Sequence, residues 1–323
     1  MTLGSETFDE RLSRQLDIVE QRLHQVIVSE NPFVTEAAGH LIGAGGKRFR
    51  PGLVLACADF GGAADESKLI SGAMVMELTH VASLYHDDVM DEAQLRRGGP
   101  SGNAKYGNSV AILVGDYLFS KASSLVTELG VKFVALQADT FAQLVTGQIA
   151  ETIGPAKGED PIAHHMKVLE GKTGSLIRTS CLVGAMVANA DDAVLRALSE
   201  YGAKIGLVFQ LSDDLIDITS DTTGKTPGTD LREGIPTLPT LLLDASKDPA
   251  DQDLARRIHS DLSDDAKLAE VLAELRANPV IGQARKRIVA IADEARKAIA
   301  DLPEGQAKSA LLRLCDEVVA RSS

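Results

Sequence analysis

Two short acidic motifs carry the strongest chemical signal in this sequence. Each reads Asp-Asp-x-x-Asp, at residues 87–91 and 213–217. On an α-helix, positions i and i+4 lie about 40° apart around the axis, so the first and last carboxylates of each motif share one face. Such carboxylates repel each other, and Mg²⁺ relieves the repulsion because it prefers oxygen ligands from one or two carboxylates together with substrate phosphates. The paired motifs therefore predict a site for Mg²⁺ and a diphosphate substrate.

Basic residues are concentrated in loops beside these motifs. Residues 45–51 read Gly-Gly-Lys-Arg-Phe-Arg-Pro, and residues 96–99 read Arg-Arg-Gly-Gly. Glycine allows the backbone to approach a ligand closely, and arginine offers bidentate contacts to phosphate. In a chain of net charge −13, these turns predict local anion sites. Lys172 and Thr173, at the start of a helical stretch, and Lys225, in the loop after the second motif, are weaker signals of the same kind.

The elements that must position these residues are predicted to be helices. Apolar residues recur at spacings of three and four in Phe8–Ile27, Leu69–Leu84, Val110–Leu129, Phe133–Ile149, Leu176–Ala188, Ala193–Ile218, Leu268–Leu275, Val280–Ile299 and Ala307–Val319. Each acidic motif ends a long apolar stretch. No alternating pattern bounded by hairpin turns is present, so no sheet is expected. No linker divides the chain, which predicts one all-α domain, residues 1–323, of about a dozen helices.

Composition restricts the class of protein. The chain has 323 residues, of which 44% are hydrophobic and 24% charged, as in an ordinary globular protein. Lys and Arg number 33 against 46 Asp and Glu, so nucleic acid and anionic membranes are not expected partners. Three distant cysteines without a CxxC motif argue against a disulfide framework or a thiolate zinc site. A polar N-terminus and the lack of a long uncharged apolar stretch predict no signal peptide, no transmembrane helix and a cytoplasmic location.

Six segments together resemble the trans-isoprenyl diphosphate synthases, or polyprenyl synthetases. They are GGKRFRP, HVASLYHDDVMD, RRGGPS, GKTGSL, FQLSDDLID and GKTPGTDLREGIPTLP, in the family's order and spacing from about residue 40 to 240. The resemblance implies the all-α isoprenoid-synthase fold, a helical bundle around a central cavity, usually in a homodimer. It also implies Mg²⁺-dependent condensation of isopentenyl diphosphate with an allylic diphosphate such as farnesyl or geranylgeranyl diphosphate. Three Mg²⁺ ions are expected per active site with diphosphate bound.

The resemblance implies metal ligands in both motifs. They are Asp87, Asp88 and Asp91 in the first motif and Asp213, Asp214 and Asp217 in the second. Asp87 and Asp91 would bind Mg²⁺ that bridges to the allylic diphosphate, with Asp88 in support. Asp213 would hold a further Mg²⁺ from the opposite wall, with Asp214 and Asp217 nearby.

The resemblance also implies substrate contacts. The contacts to the allylic diphosphate are Arg96, Lys172 and Lys225. Thr173 and Gln210 would lie near the developing allylic cation. Lys172, Thr173 and Gln210 are therefore the candidate catalytic residues. The contacts to the diphosphate of isopentenyl diphosphate are Lys47, Arg50, His80 and Arg97. Helical spacing agrees for two of them, because His80 precedes Asp87 by two turns and Gln210 precedes Asp213 by one turn.

One position departs from the family pattern. The family commonly has a lysine after the Glu-Gly of the last segment, where this chain has Glu233, Gly234 and Ile235. One diphosphate contact is therefore in question, and Arg232 or Lys225 is the candidate replacement.

Product length is expected to depend on the residues before the first motif. In the family, the fifth position before the first Asp often carries a bulky aromatic residue that stops short chains. This chain has Ala82 there, followed by Ser83. Small residues predict a deep tunnel and a long product of about C40–C50, which is typical of quinone side chains. A shorter product in the range of about C15–C35 stays open.

Three other functions fit these residues less well. A terpene cyclase shares the fold and the first acidic motif, but it does not need the second basic site of Lys47, Arg50 and Arg97. A metal phosphohydrolase of the HD type is suggested by His86 and Asp87, but these side chains lie about 100° apart around a helix. A non-catalytic partner subunit would be expected to lack one of the two acidic motifs.

Overall fold

The computed structural model describes residues 6–219 and 227–321, which are almost entirely helical. The α-helices are α1 (Phe8–Val26), α2 (Pro32–Gly43), α3 (Phe49–Cys57), α4 (Glu66–Met90), α5 (Gly102–Tyr106), α6 (Asn108–Val126), α7 (Val131–Ile153), α8 (Pro161–Leu169), α9 (Ser175–Val187), α10 (Asp192–Thr219), α11 (Thr229–Glu233), α12 (Leu238–Asp244), α13 (Pro249–Ile258), α14 (Asp265–Ala277), α15 (Pro279–Ala298) and α16 (Gln306–Ala320). A 3₁₀ turn, Ala58–Phe60, follows α3, and a π-helical turn, Glu170–Gly174, joins α8 to α9. The predicted all-α class is confirmed.

Each stretch with helical periodicity corresponds to an observed helix. The shorter helices α2, α3, α8, α12 and α13 were not among the predicted stretches. Several of these begin at capping residues: Asn31 accepts from the Phe33 N–H, with Pro32 in the first helical position, and Asp160 caps α8 in the same way. Helices α3, α8, α12 and α13 have seven to ten residues, which complete too few turns to establish a clear period.

Within residues 6–219 and 227–321, a minimal hairpin is the one departure from the expected absence of a sheet. Strand β1 (Leu95–Arg96) pairs antiparallel with β2 (Gly99–Pro100). The turn residues Arg97 and Gly98 have φ values of 53° and 79°, and two positive φ angles are typical of the type I′ turns that close two-residue hairpins. Strands of two residues leave no alternating pattern, so sequence periodicity could not reveal them.

The chain forms two compact units. The first comprises Met1–Ala142, Leu176–Gly202 and Asp301–Ala310, and the second comprises Gln143–Ser175, Ala203–Ala300 and Leu311–Ser323. The acidic motif at residues 87–91 and the glycine-rich loop at residues 45–51 belong to the first unit. The motif at residues 213–217 and the π-helical turn belong to the second unit. Each unit thus carries its own set of the predicted site residues.

Helix α4 is the central element of the first unit. It is 25 residues long and is buried on almost every side from Leu69 to Ser83. Glycines allow helices to approach closely around it: a Cβ atom on Gly72 would lie 2.7 Å from Cγ1 of Val183, and one on Gly184 would lie 1.9 Å from the carbonyl oxygen of Val54. This dense packing leaves little freedom for α4, and therefore fixes the position of the acidic motif at its C-terminal end.

Helix α6 is the one helix among the described residues whose length and apolar composition would suffice to cross a membrane. Only 33% of its most apolar 18-residue window is buried. The helix also contains Asp116 and Lys121, and it buries Leu118 and Ala122 completely. These features are typical of a helix that packs on a protein core with one face and presents an apolar second face.

Candidate active site

The first acidic motif keeps the spacing that the sequence predicted. Helix α4 ends at Met90, and Asp91 is its C-cap, with its N–H donating to the carbonyl oxygen of Asp87 at 2.8 Å. Asp87 is half-buried and Asp91 is exposed. Carboxylates at the C-terminal end of a helix face the negative end of its dipole, so a bound cation would stabilise them. Their oxygen chemistry and one-turn spacing fit Mg²⁺.

Asp88 points to the hairpin. Its side chain is completely buried, and Oδ1 accepts a hydrogen bond from Nε of Arg96 at 2.7 Å and forms an ion pair with Nη2 at 2.7 Å. Oδ2 accepts from the N–H of Gly102 at 3.1 Å. Both carboxylate oxygens therefore anchor the chain around the hairpin and orient Arg96. Support of the metal site by Asp88 is consistent with this arrangement, whereas direct coordination would compete with these bonds.

Arg97 connects the hairpin to the glycine-rich loop. Its Nη1 donates to the carbonyl oxygen of Leu41 at 2.9 Å and to that of Gly45. A Cβ atom on Gly46 would lie 3.2 Å from Cζ of Arg97, and Gly46 has a φ of 147°. The loop can approach this guanidinium group closely because Gly46 has no side chain. The structure thus brings together two basic segments that are distant in the sequence.

Arg48 has a structural role that the sequence did not reveal. Its side chain is only 8% exposed, and Nε and Nη2 donate to the two carboxylate oxygens of Glu20 at 2.6 and 2.8 Å. Nη1 donates to Oε1 of Glu77 at 2.8 Å, and Nη2 also donates to the carbonyl oxygen of Ile42. Of the basic residues in the loop, Arg48 points inward, whereas Lys47 is exposed.

Arg50, His80 and Arg97, called here the basic cluster, act on one another electrostatically. Burial lowers the pKa of Arg50 to about 10, with Glu77 opposing this shift and Arg97 adding to it. Burial, with the positive charges of Arg50 and Arg97, holds the pKa of His80 well below its usual value, so this imidazole is neutral at pH 7. Nε of Arg50 is buried and has no hydrogen-bond partner within the described residues. A half-buried excess of positive charge of this kind attracts an anion.

In the second unit, Asp213 and Asp217 lie one turn apart near the end of α10. Oδ1 of Asp213 lies 3.1 Å from Nη2 of Arg321, whose guanidinium group also stacks over the ring of Phe209. Oδ2 of Asp217 accepts from the N–H of Asp230 at 3.1 Å. Asp217 therefore contacts the first turn of α11, and Arg321 places a cation beside Asp213.

Asp214 is buried and belongs to a polar network. Its Oδ1 accepts from Nε2 of Gln210 at 2.9 Å, and its Oδ2 lies 3.8 Å from Nε2 of His165. Burial raises the pKa of Asp214 to about 8, and burial lowers the pKa of His165 to about 4. Near neutral pH these two groups are therefore mainly uncharged neighbours. Neither His165 nor this network was foreseen from the sequence.

Thr173 and Gln210, both predicted to lie near the allylic cation, contact each other. The hydroxyl of Thr173 donates to Oε1 of Gln210 at 3.0 Å. Because Gln210 in turn donates to Asp214, both ends of its amide are fixed. The arrangement presents a hydroxyl oxygen and an amide with a defined orientation.

Lys172 lies in the π-helical turn, and such turns are frequent at functional sites. Its Nζ forms an ion pair with Oε2 of Glu151 at 2.6 Å. A Cβ atom on Gly147 would lie 2.5 Å from the backbone nitrogen of Lys172, and one on Gly171 would lie 3.0 Å from Cα of Gly147. Two facing glycines therefore let the π-helical turn approach α7, which carries Glu151. Glu151 was not predicted from the sequence as a site residue, although it is an isolated acid near the end of an apolar helix.

Lys225 and Arg232 are the two candidates to replace the missing lysine of the family pattern. Lys225 lies outside the described residues. Arg232, a candidate replacement for the missing lysine, is half-exposed and forms an ion pair with Asp265 at the start of α14. That ion pair would have to break before Arg232 could bind a diphosphate.

His86 packs on α6 rather than beside the acidic pair. Its Nε2 lies 3.1 Å from the carbonyl oxygen of Ile112, and a Cβ atom on Gly115 would lie 2.3 Å from the same nitrogen. The side chain therefore fills the space left by Gly115. This position agrees with the azimuth argument against a His86–Asp87 metal pair.

The residues expected to govern product length are buried. Ala82 is completely buried, and Ser83 is 7% exposed, with its hydroxyl donating to the carbonyl oxygen of His80 at 2.8 Å. Ser83 is therefore bonded back to its own helix. Neither residue presents a large side chain.

The carboxylates do not by themselves form a closed metal cage. Over residues 6–219 and 227–321, no three His, Cys, Asp or Glu side chains are grouped closely enough to hold a metal ion. Mg²⁺ is commonly held by only one or two carboxylates together with substrate phosphates and water. The donor set is thus of the kind that binds the metal with its diphosphate.

Comparison with known proteins identifies the family. The sequence profile of the family named Polyprenyl synthetase matches residues 31–275. The chain is 42% identical over 321 residues to a nonaprenyl diphosphate synthase of Mycobacterium tuberculosis, covering 99% of this chain and 96% of the relative.

Solved structures indicate the same family. A geranylgeranyl pyrophosphate synthase of Corynebacterium glutamicum, complexed with calcium and isoprenyl diphosphate, superimposes with a TM-score of 0.88 at 40% identity over 100% of both chains. A decaprenyl diphosphate synthase of Rhodobacter capsulatus gives a TM-score of 0.87 at 32% identity over 97% of this chain and 98% of that one. The predicted resemblance is therefore confirmed, and the chain belongs to the polyprenyl synthetase family of prenyltransferases, which have the all-α isoprenoid synthase fold.

Proposed function

We propose that this prenyltransferase makes an all-trans polyprenyl diphosphate by condensing isopentenyl diphosphate with an allylic diphosphate such as farnesyl or geranylgeranyl diphosphate. The observation that carries the proposal is a basic cluster whose His80 lies on the same helix as an acidic pair. His80 precedes Asp87 by two turns of α4, which corresponds to about 10 Å along the helix. A carboxylate pair suits a diphosphate bound through metal ions, and a cluster of guanidinium groups suits a second diphosphate bound directly.

The metal ions are assigned to the two acidic motifs. The proposed Mg²⁺ ligands are Asp87 and Asp91 in the first motif and Asp213 in the second, with Asp88, Asp214 and Asp217 in support. Three Mg²⁺ ions are proposed per active site when the allylic diphosphate is bound. When bound, the ions neutralise the charge that collects on the departing diphosphate.

The remaining contacts are assigned to the two substrates. The allylic diphosphate is proposed to bind Arg96, Lys172 and Lys225, and isopentenyl diphosphate to bind Lys47, Arg50, His80 and Arg97. Lys172, Thr173 and Gln210 are the proposed catalytic residues. The hydrogen bond between Thr173 and Gln210 supports their assignment to the allylic cation, because it turns two polar groups into an oriented dipole pair.

The proposed chemistry is a head-to-tail condensation. The allylic C–O bond breaks and its electron pair leaves with the diphosphate, while the alkene of isopentenyl diphosphate forms the new C–C bond. The proton lost from the adduct is transferred to the departed diphosphate. The basic cluster holds the second substrate in place for this attack, and the apolar helices exclude water that would otherwise capture the cation.

A long product of about C40–C50 is proposed, as used in quinone side chains. The small, buried side chain of Ala82 supports a deep tunnel. The nonaprenyl and decaprenyl synthases among the relatives also support it. The geranylgeranyl pyrophosphate synthase favours the alternative, a shorter product in the range of about C15–C35.

The chain is proposed to act as one domain in a cytoplasmic homodimer. Helix α6 exposes Ile112 and Leu113 on the face that does not pack on the core. Helix α7 exposes Val134, Val145 and Ile149, which lie within about 60° of one another around its axis. Exposed apolar side chains on adjacent helices are typical of an interface, and a second copy of the chain is the proposed occupant.

Product analysis tests the proposal. The purified protein is incubated with Mg²⁺, labelled isopentenyl diphosphate, and farnesyl or geranylgeranyl diphosphate. Products that end near about C40–C50 support the proposed reaction and the deep tunnel. Products that stop at about C20 retain the reaction but overturn the tunnel, and no incorporation from any allylic primer contradicts the proposed reaction.

A further inference from the structure

Glu77 is a buried carboxylate near the guanidinium groups of Arg48, Arg50 and Arg97. It lies on α4, one turn before His80, and its side chain is only 3% exposed. Its Oε1 accepts a hydrogen bond from Nη1 of Arg48 at 2.8 Å. Burying a carboxylate this deeply is unfavourable unless opposite charges compensate for the lost hydration.

The charge of Glu77 acts beyond that hydrogen bond. The pKa values of Arg50 and Arg97 are affected most by the burial of the arginines themselves, which lowers them. The charge of Glu77 has the second-largest effect and raises both pKa values. The second carboxylate near these cations, Glu20, makes its hydrogen bonds with Arg48 and is 38% exposed. Glu77 is thus the buried counter-charge that the basic cluster shares with Arg48.

The cations outnumber the carboxylates around this point. Arg48 is balanced by its two partners, Glu20 and Glu77, whereas Arg50 receives only the charge of Glu77, and Arg97 that of Glu77 with a smaller contribution from Glu20. Glu77 therefore stabilises the cluster but leaves it with residual positive charge. A diphosphate that binds this cluster would supply more of the missing negative charge.

We infer that Glu77 is a positioning residue of the basic cluster: its carboxylate holds the guanidinium groups together before diphosphate binds, and the bound diphosphate takes over part of that function. The inference rests on the proposed function, because it takes the cluster to be the site for isopentenyl diphosphate. It also implies that the charge of Glu77 stabilises the fold but weakens anion binding. A carboxylate near a bound diphosphate repels it, so the counter-charge lowers the affinity of the cluster for diphosphate.

Glu77→Gln separates charge from shape. The amide keeps an oxygen that can accept from Arg48, but the negative charge is lost. The variant is expected to unfold at a lower temperature than the wild type. Inorganic diphosphate should then bind about threefold or more tightly, because the unbalanced cations gain more from the anion. Binding is measured by titration calorimetry in EDTA, so that metal-dependent binding does not contribute.

Glu20→Gln is the matched control. It removes the same charge from the other partner of Arg48, but on the exposed side. Its diphosphate affinity is expected to stay within about twofold of the wild type. The inference is overturned if Glu77→Gln binds diphosphate as weakly as the wild type or more weakly, or if Glu20→Gln produces the same gain.

Two further experiments decide the remaining cases. If Glu77→Gln fails to fold, the double variant Arg50→Gln/Glu77→Gln removes one cation and one anion together. Recovery of a folded protein supports the inference, and an equally unfolded double variant overturns it.

The product assay on the wild type separates this inference from the proposed function: wild-type elongation without the expected change in Glu77→Gln overturns the inference alone. Lack of metal-free diphosphate binding by the wild type also overturns it.

Discussion

Nζ of Lys172 lies 2.6 Å from Oε2 of Glu151, so a proposed diphosphate ligand is held by a carboxylate from another helix. The two residues are 21 positions apart in the sequence, and close contact between Gly147 and Gly171 brings their elements together. Both side chains are about one-quarter exposed. Glu151 therefore orients Lys172 and partly compensates its positive charge before substrate binds.

Glu151→Gln should raise the KM for the allylic diphosphate about three- to tenfold, because Lys172 loses the partner that fixes its position. The KM for isopentenyl diphosphate should stay within about twofold, since Lys172 is assigned to the other substrate. Steady-state kinetics with each substrate varied in turn measures both constants. Glu159→Gln is the control, because Glu159 forms a comparable ion pair with exposed Lys167 in the same unit. Equal changes in the two KM values would contradict the assignment.

Thr173→Val should lower kcat by about 10- to 100-fold with little loss of folding stability. Valine has nearly the shape of threonine but cannot donate to Gln210, so the amide loses one of its two fixed contacts. Thr173→Ser retains the hydroxyl and should recover most of the activity. Thermal unfolding and kcat are measured for both variants. A valine variant as active as the serine variant would remove Thr173 from the proposed catalytic residues.

Ala82→Phe should shorten the product if the tunnel passes this residue. The ring would then occupy the tunnel instead of packed core, so the unfolding temperature should fall only slightly. Ala73→Phe is the matched control: it is also completely buried on α4 and lies on about the opposite face, where overpacking typically costs about 1–3 kcal/mol. Thin-layer or mass-spectrometric analysis gives the chain length. An unchanged product length in Ala82→Phe would refute the tunnel assignment.

The burial of neutral His80 predicts a loss of stability in acid. Burial and the nearby arginines depress the pKa of this imidazole in the folded state, whereas an unfolded histidine titrates near about 6.5. Below that pH the unfolded chain binds a proton that the folded chain does not, so the free energy of unfolding falls as the pH decreases. Above it the contribution is fully present.

His80→Gln should reduce this acid dependence, because glutamine does not titrate. The free energy of unfolding of the variant should change less between pH 7 and pH 5 than that of the wild type, measured by urea denaturation at each pH. His24→Gln, at a half-exposed position in the first unit, is the control and should leave the wild-type slope in place. Parallel pH profiles for His80→Gln and the wild type would contradict the prediction.

Several features of the site followed from local sequence alone. The i, i+4 spacing of Asp87 and Asp91 survives in the structure because backbone hydrogen bonding fixes the period of a helix wherever the helix packs. The all-α class followed from the same period. The hairpin at Arg97 did not, because two-residue strands have no period to detect.

Which charges serve the fold and which face a ligand was decided by the tertiary structure. Arg48 and Arg50 are two residues apart in one loop, yet Arg48 is tied to Glu20 and Glu77 while Nε of Arg50 has no partner among the described residues. Asp88 likewise differs from its neighbour Asp87, because its two oxygens are bonded to Arg96 and to the backbone after the hairpin.

The sequence by itself determined the long helices, the two acidic motifs and the family, because each depends on residue types at short, fixed spacings. The tertiary structure alone selected Glu77 and Glu151 as partners of the basic residues, 29 and 21 positions from the side chains they hold. Such pairs depend on which helices pack together. Packing is set by the whole set of buried contacts, and no local pattern specifies it.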